Sequence, residues 1–321
     1  RDNPALPPDA RTATIAPGDN PCNWQAHLFD TNRPVNLEFL KQFRSVLNEY
    51  PATAAVGEVG DGQYGLQIMG QYTAGSERMH MCYSFELLSL RSLDGARIAT
   101  VIEDFGREAA DGWPTWAMSN HDVERHGSRL GADDAGLKLA LTLMLCLRGS
   151  VCLYQGEELG LGEADVAFAD LQDPYGIEFW PEFKGRDGCR TPMVWESNAD
   201  HGGFSTAEPW LPVSEAHKRQ AANLARSDAD GMLAHYRAAL QLRHEYPVLV
   251  DGEIEVVSAA QDHLVFVRRN AQDAMLCAFN FGASELEIML PPGKWADKNQ
   301  SQLVGSGAIL PPQTSMLATR I

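Results

Sequence analysis

The stretch WAMSNHDVERHG, residues 116–127, decides how the rest of the chain is read. A short apolar run, Trp116-Ala117-Met118, delivers the backbone onto Asn120, His121 and Asp122. An amide, an imidazole and a carboxylate follow one another where a strand is expected to end. Such a cluster is costly to bury unless it is paired or used. The structural alternative is a helix N-cap, in which Asn or Asp accepts the first free N–H groups of the next helix. The surrounding elements decide between the two.

Upstream, Val35, Phe39, Leu40, Phe43, Val46 and Leu47 recur at helical spacing, and Pro51 ends that helix. Thr53–Gly57 reads as a short buried strand with Glu58 as its last polar residue. Met79–Phe85 is the next expected strand. Gly95–Phe105 is an amphipathic helix with Ile98, Val101, Ile102 and Phe105 inside. Trp116–Ser119, Ala135–Leu147 and Val151–Tyr154 read as strand, apolar helix and strand. Short apolar strands alternating with helices imply parallel βα units.

Residues 1–34 show no periodicity and read as a long loop. Residues 156–213, with many Gly, Pro and aromatic residues, interrupt the alternation as a long excursion. A helix over Ala229–His244 follows, with Met232, Leu233, Tyr236, Leu240 and Leu242 on its buried side. From Pro247 the texture changes. Glu253–Ser258, His263–Arg268, Met275–Phe281 and Leu286–Leu290 read as strands with short turns, an antiparallel sandwich. The boundary between the two textures falls near residue 246, dividing the chain into 1–245 and 246–321.

A length of 321 residues allows two domains and a large core. Hydrophobic residues at 44% and charged residues at 21% fit an ordinary globular protein. The net charge of -17 argues against nucleic-acid and anionic-membrane partners, which select basic surfaces. No stretch approaches the roughly 20 apolar residues needed to span a bilayer, and the polar start Arg1-Asp2-Asn3-Pro4 has no signal-peptide pattern. The six cysteines (Cys22, Cys82, Cys146, Cys152, Cys189, Cys277) are scattered. Cys146, Cys152 and Cys277 lie in apolar runs and read as core residues in a reducing compartment. The expectation is a cytoplasmic protein with a small neutral ligand and neither metal nor cofactor.

In a parallel β/α barrel the chemistry sits at the C-terminal ends of the strands. Glu58 ends the first strand, Asn120-His121-Asp122 the third, and Gln155, Glu157 and Glu158 the fourth. Two carboxylates at one mouth, Glu58 and Asp122, match what glycosidic-bond cleavage requires: an acid to protonate the leaving oxygen and a carboxylate to support an oxocarbenium-like transition state. His121 offers a hydrogen-bond partner to sugar hydroxyls. Arg186, Asp187 and Arg190 in GRDGCRTPMVW, residues 185–195, lie in the excursion. A guanidinium clamps a carboxylate or a sugar diol well. Phe179, Trp180, Phe183 and Trp195 offer stacking faces. Taken singly, each has an ordinary alternative as a cap, a surface ion pair or loop core, and Glu157 and Glu158 are read as structural. Their shared placement at strand ends carries the functional reading.

AAVGEVGD (54–61), WAMSNHDVERHG (116–127), GSVCLYQGEELGL (149–161) and GRDGCRTPMVW together resemble the later signature regions of glycoside hydrolase family 13, the α-amylase superfamily. Within it the likeness is to the α-glucosidase and oligo-1,6-glucosidase group, in the right order over nearly the whole chain. The resemblance implies a (β/α)8 barrel with a C-terminal β-sandwich, and retaining hydrolysis of α-glucosides or oligosaccharides from the non-reducing end. It implies that Glu58 is the general acid/base and that Asp122 is a further catalytic carboxylate holding the distorted sugar. By the same likeness Asn120, His121 and Arg190 bind substrate. Arg186 competes with Arg190 for that place, and Arg125 matches a looser position.

The family's nucleophilic Asp, in a Gly-Phe-Arg-x-Asp context, has no counterpart, nor does its earlier Asp-x-x-x-Asn-His region. Asp2, Asp9, Asp19 and Asp30 are the aspartates upstream of the first strand, and none follows an apolar strand. The expected fold is therefore α/β: the C-terminal half of a (β/α)8 TIM barrel, strands five to eight, then an antiparallel β-sandwich. Such a half barrel has open edges that invite an upstream half or a self-association partner, and alone it is expected to be inactive. One alternative is an inactive half barrel that binds carbohydrate or a partner chain. Another is a metal hydrolase using Glu58, His80, His121 and Asp122, which lacks a ligand spacing such as HExxH.

Overall fold

The computed structural model describes residues 2–6, 24–59, 64–298, 303–304 and 306–321. The readings of Asp9, Asp19 and Cys22 lie outside these residues. Asp30 lies in the N-terminal loop, where it accepts a hydrogen bond from Asn3 Nδ2 at 2.8 Å and pairs with His27.

The first sheet has four short parallel strands in the order β1 (Val56–Glu58), β2 (Met81–Tyr83), β3 (Pro114–Trp116) and β4 (Ser150–Val151). Around it lie α1 (Val35–Leu47), α2 (Gly65–Thr73), α3 (Gly95–Glu108), α4 (His126–Arg129) and α5 (Asp134–Cys146). Asp94 starts α3 by accepting the Arg97 N–H, and Asp133 starts α5 by accepting the Gly136 N–H, both at 3.0 Å. Buried over nearly its whole surface, α5 shows no polar stripe.

Several elements differ from the sequence expectation: the first strand is Val56–Glu58, not Thr53–Gly57, and exposes Val56 and Glu58 at the sheet edge, and the fourth is Ser150–Val151, not Val151–Tyr154. The third strand was expected over Trp116–Ser119 but spans Pro114–Trp116, because Thr115 and Trp116 are the residues in register with β4. Proline is tolerated as the first residue of a strand, where its missing N–H costs no ladder bond. Ala117, Met118 and Ser119 then carry the chain, buried, towards Asn120. Helix α2 was not anticipated, since Gly65 and Gly70 weaken its pattern. Gly70 has a packing reason: a Cβ there would lie 2.8 Å from the Ala109 Cα, at the end of α3.

The excursion holds only short helical turns, among them α6 (Pro174–Glu178). It is followed by α7 (Glu215–Lys218), α8 (Ala222–Ala225), α9 (Met232–Glu245) and α10 (Val248–Asp251). On α9, Leu240 was expected inside but is 38% exposed. Arg243 is buried in its place, donating to the carbonyls of Leu145, Leu147, Gly149 and Leu249. Cys152 was expected in the core and is exposed, because it follows a two-residue strand at the sheet edge.

The C-terminal part is antiparallel, with a six-stranded second sheet and a separate two-stranded pair, built from β5 (Glu253–Ala260), β6 (His263–Arg269), β7 (Ala274–Asn280), β8 (Leu286–Met289), β9 (Trp295–Asp297), β10 (Leu303–Val304), β11 (Gly307–Leu310) and β12 (Thr314–Arg320). Six strands run in the order β10-β9-β12-β7-β6-β5, and the β11-β8 pair packs on them through Ile288, Leu310, Val265 and Leu276. A single apolar cluster joins the two sheets. It contains Ile98, Val101, Trp116, Leu143 and Met144 together with Leu264, Phe266, Cys277 and Phe279. At this junction Gly95 lies so close to the β5–β6 turn that a Cβ would fall 1.9 Å from the His263 carbonyl oxygen. Arg268, also buried, donates to the carbonyls of Cys146, Leu249 and Gly252.

Strands β1 and β4 are the edges of the parallel sheet. Beside β1, α1 exposes Val35, Phe39, Phe43 and Val46. Beside β4, a groove of about 300 Å³ is lined by residues that include Leu153, Tyr154, Leu233 and Leu240. Among the described residues no helix is long and apolar enough to cross a membrane.

Candidate active site

Glu58 closes β1 opposite Tyr83 on β2, and Tyr83 stands opposite Thr115 on β3. One strand therefore separates Glu58 from the β3 end, a spacing on the order of 10 Å. Glu58 is exposed at this end of the sheet.

Past β3, the Asn120 side-chain oxygen accepts the N–H groups of Asp122 at 2.9 Å and Val123 at 3.0 Å. This is an Asx turn, which reverses the backbone locally. The capping chemistry is thus present but is used on the turn itself, and α4 begins later, at His126. Burial, first, together with Cys152, Glu157 and Glu58 nearby, holds the Tyr83 phenol well above its ordinary pKa, and the nearby Asn120 side chain acts in the opposite direction. Tyr83 was not singled out in the sequence, because only strand pairing brings it beside Asn120.

The turn presents Asp122 to two arginines of the excursion. Its Oδ1 accepts from Arg186 Nη1 at 2.9 Å and from Arg190 Nη2 at 3.0 Å. Its Oδ2 lies 3.4 Å from His121 Nε2. Arg190 Nε also donates to the His121 carbonyl at 2.7 Å. His121, Asp122, Arg186 and Arg190 therefore form one cluster, and the His121 side chain is 64% exposed at its rim.

Behind the cluster, Asp173 binds Arg186 with both carboxylate oxygens. Burial opposes ionisation of Asp173. The Arg186 guanidinium and the N–H groups of Arg186 and Tyr175 more than offset this and hold its carboxyl below the usual range. The sequence offered one signal for Asp173, the Asp-Pro pair that opens α6.

Arg125 is buried instead of joining this cluster. Its Nη1 and Nη2 donate to the carbonyls of Gln155 at 2.7 Å and Cys189 at 2.9 Å, and it stacks 5.0 Å over Tyr154. It ties the β3 turn to the chain beyond β4 and to the excursion. Of the aromatics, Phe179 stacks on Tyr175 and Trp180 packs on Phe168, while Trp195 is exposed.

A second group of polar residues is buried nearby. Ser119 Oγ lies 2.8 Å from His126 Nδ1, which is 3.7 Å from Glu157 Oε1. Burial pushes Glu157 up to about 8, and burial, with Arg129 and Arg125, pulls His126 down to about 4. Burial thus favours the uncharged form of both groups.

His80 accepts the Ala55 N–H at 3.1 Å, at the start of β1. It lies at the opposite end of the sheet from Glu58 and Asp122, which removes it from the metal-site alternative. Among the described residues no three His, Cys, Asp or Glu side chains are grouped to hold a metal ion.

The family model for the alpha-amylase catalytic domain matches residues 5–252. The chain is 53% identical over 295 residues to a "Probable alpha-glucosidase" of Rhizobium meliloti, covering 91% of this chain and 53% of that protein. It is 28% identical over 307 residues to an oligo-1,6-glucosidase of Heyndrickxia coagulans, covering 83% and 54%. Its structure matches the crystal structure of the alpha-glucosyl transfer enzyme XgtA with a TM-score of 0.92 at 42% identity, covering 100% of this chain and 61% of that one. The chain spans about half the length of the curated relatives it matches.

Proposed function

Because the chain belongs to the alpha-amylase family, glycoside hydrolase family 13, within its α-glucosidase and oligo-1,6-glucosidase group, we propose that it forms the C-terminal part of a retaining α-glucosidase. The substrate is terminal α-linked glucose of an oligosaccharide or α-glucoside. The observation that carries this reading is Asp122, clamped by Arg186 and Arg190 at the same end of a parallel sheet as Glu58.

In this reading Glu58 protonates the leaving glycosidic oxygen and then takes a proton from the attacking water. Asp122, held by two guanidinium groups, accepts hydrogen bonds from the sugar hydroxyls and supports the positive charge that develops on the ring. His121 at the rim binds a further hydroxyl. Asn120 shapes the turn, Arg190 and Arg186 form the floor of the sugar pocket, and Arg125 braces the loops around it.

The four parallel strands are read as strands five to eight of a (β/α)8 barrel over residues 1–245, with the sandwich over 246–321. The unpaired edges, the bare apolar stripe of α1 and the groove beside β4 support this, as does the half-length match to the relatives. The covalent step needs a nucleophile about 5–5.5 Å from Glu58, supplied by the remaining half. A cytoplasmic setting completes the reading and would keep the thiols of Cys82, Cys146, Cys152, Cys189 and Cys277 reduced.

The test is turnover of p-nitrophenyl α-D-glucoside by the full-length protein. Glu58→Gln is expected to abolish turnover with the circular dichroism spectrum unchanged. A near-parental rate refutes the assignment. The 321-residue chain by itself is expected to show little or no turnover. The likeness to XgtA favours a second outcome for the same site, in which a sugar hydroxyl replaces water as acceptor. Product analysis at high maltose separates the two, since hydrolysis yields free glucose and transfer yields longer oligosaccharides.

A further inference from the structure

We infer that Asp173 is a positioning residue that sets the orientation of Asp122 through Arg186. The inference rests on the α-glucosidase reading of the site. Asp173 is buried at the start of α6, where its Oδ1 accepts the Tyr175 N–H at 3.4 Å. Its Oδ2 accepts the Arg186 N–H at 2.8 Å and Arg186 Nε at 2.9 Å, and its Oδ1 accepts Nη2 at 2.9 Å.

A guanidinium is planar, so two bonds to one carboxylate fix the direction of its remaining nitrogen. That nitrogen is Nη1, and it reaches Asp122 Oδ1 at 2.9 Å. The Tyr175 ring, 5.6 Å from the guanidinium carbon, supports the same plane from its face. Charge follows the same logic. Asp122 meets two cations, and Asp173 balances one of them, so the four groups sum to zero. Without Asp173 the long Arg186 side chain would regain its rotamers, and the fork would lose the partner that aims it.

The two segments are also locked through the main chain. The Asp173 N–H donates to Asp187 Oδ2 at 2.8 Å. A Cβ on Gly185 would lie 2.8 Å from the Gly176 Cα, so α6 and the Arg186 loop are in direct contact. A displacement of either segment moves the Nη1 donor.

The experiment uses the full-length protein, p-nitrophenyl α-D-glucoside, and a double-mutant cycle of Asp173→Asn and Arg186→Gln. Asp173→Asn is expected to lower kcat by about 10- to 100-fold with KM within about 3-fold, the loss typical of a misplaced reacting group. In the Arg186→Gln background it is expected to change kcat by less than about 3-fold, since both variants remove one device. Full additivity, or an unchanged kcat in folded Asp173→Asn, overturns the inference. Should Asp173→Asn fail to fold, Arg186→Lys takes its place. It keeps the charge and lacks the fork, and a parental kcat there overturns the inference equally.

A crystal structure of Asp173→Asn gives a readout independent of turnover. The Arg186 contact to Asp122 is expected to be lost, and its retention overturns the link. Turnover by the parent that is lost in Asp122→Asn but unaffected along the cycle defeats this inference alone. Absence of turnover in the parent defeats the α-glucosidase reading and the catalytic part of the inference together, while the crystal structure still decides the link.

Discussion

Asp122 and Glu157 are two acids near the same strand ends with opposite treatment. Asp122 is offered two guanidinium groups, whereas Glu157 is enclosed with one oxygen left without a hydrogen-bond partner. An unfolded Glu loses its proton near 4.5, and the folded Glu157 near 8. Between these values the native state holds a proton that the unfolded state has released. Stability from this group therefore falls as pH rises, and the loss is complete above the folded value. Glu163, raised by burial to about 7, acts in the same direction. His126 acts oppositely, adding stability as pH rises from about 4 to 6.5. Glu157→Gln isolates one contribution. Its free energy of urea unfolding at pH 8.5, relative to pH 5, is expected to exceed the parent's by a margin on the order of a few kcal/mol. Equal pH dependence in the two proteins would show that Glu157 ionises freely. At this scale the motifs were informative about proximity: His121, Asp122, Arg186 and Arg190, singled out in two separate stretches, come together in one cluster. The sequence was silent on Tyr83, and for Asp173 it offered only the Asp-Pro pair that opens α6, because the partners of both are distant in the chain.

Elements were readable in kind and less so in extent. The alternation of strands and helices is present because apolar spacing sets both periods. Helix α2 escaped because two glycines hide a helix that forms by packing on α3, and β3 shifted because pairing with β4, not apolar content, sets its ends. On α9 the apolar Leu240 faces out while Arg243 lies buried, since the carbonyls at the end of α5 take up a guanidinium better than a hydrocarbon. The start of α3 gives the sharpest test at this scale. Main-chain carbonyls of the β5–β6 turn close on Gly95 and cannot rotate aside as a side chain would. Gly95→Ala is expected to cost about 1–3 kcal/mol by urea unfolding, despite the better helix propensity of alanine. A gain in stability would mean the turn yields freely.

At the scale of the whole molecule, the textural change near residue 246 was plain in the sequence, but the apolar cluster shared by the two sheets was not. Calorimetry of the chain is expected to show one cooperative transition. Two separated transitions would mean that the parallel and antiparallel parts melt independently. Arg268→Met removes a buried donor set from the carbonyls of Cys146, Leu249 and Gly252, and is expected to lower the stability of that single transition by about 3 kcal/mol or more.

The same arginine sets a schedule for synthesis. Cys146, at the end of α5, and Arg268 are 122 positions apart. A ribosome adding about 5–20 residues per second delivers Arg268 roughly 6–24 s after Cys146. Arg243 arrives first and takes the carbonyls of Leu145 and Leu147, but the Cys146 carbonyl at the end of the most apolar helix stays unanswered until Arg268 follows. The last turn of α5 is settled only when β6 has been translated, and a stalled or shortened message leaves that helix as bait for chaperones.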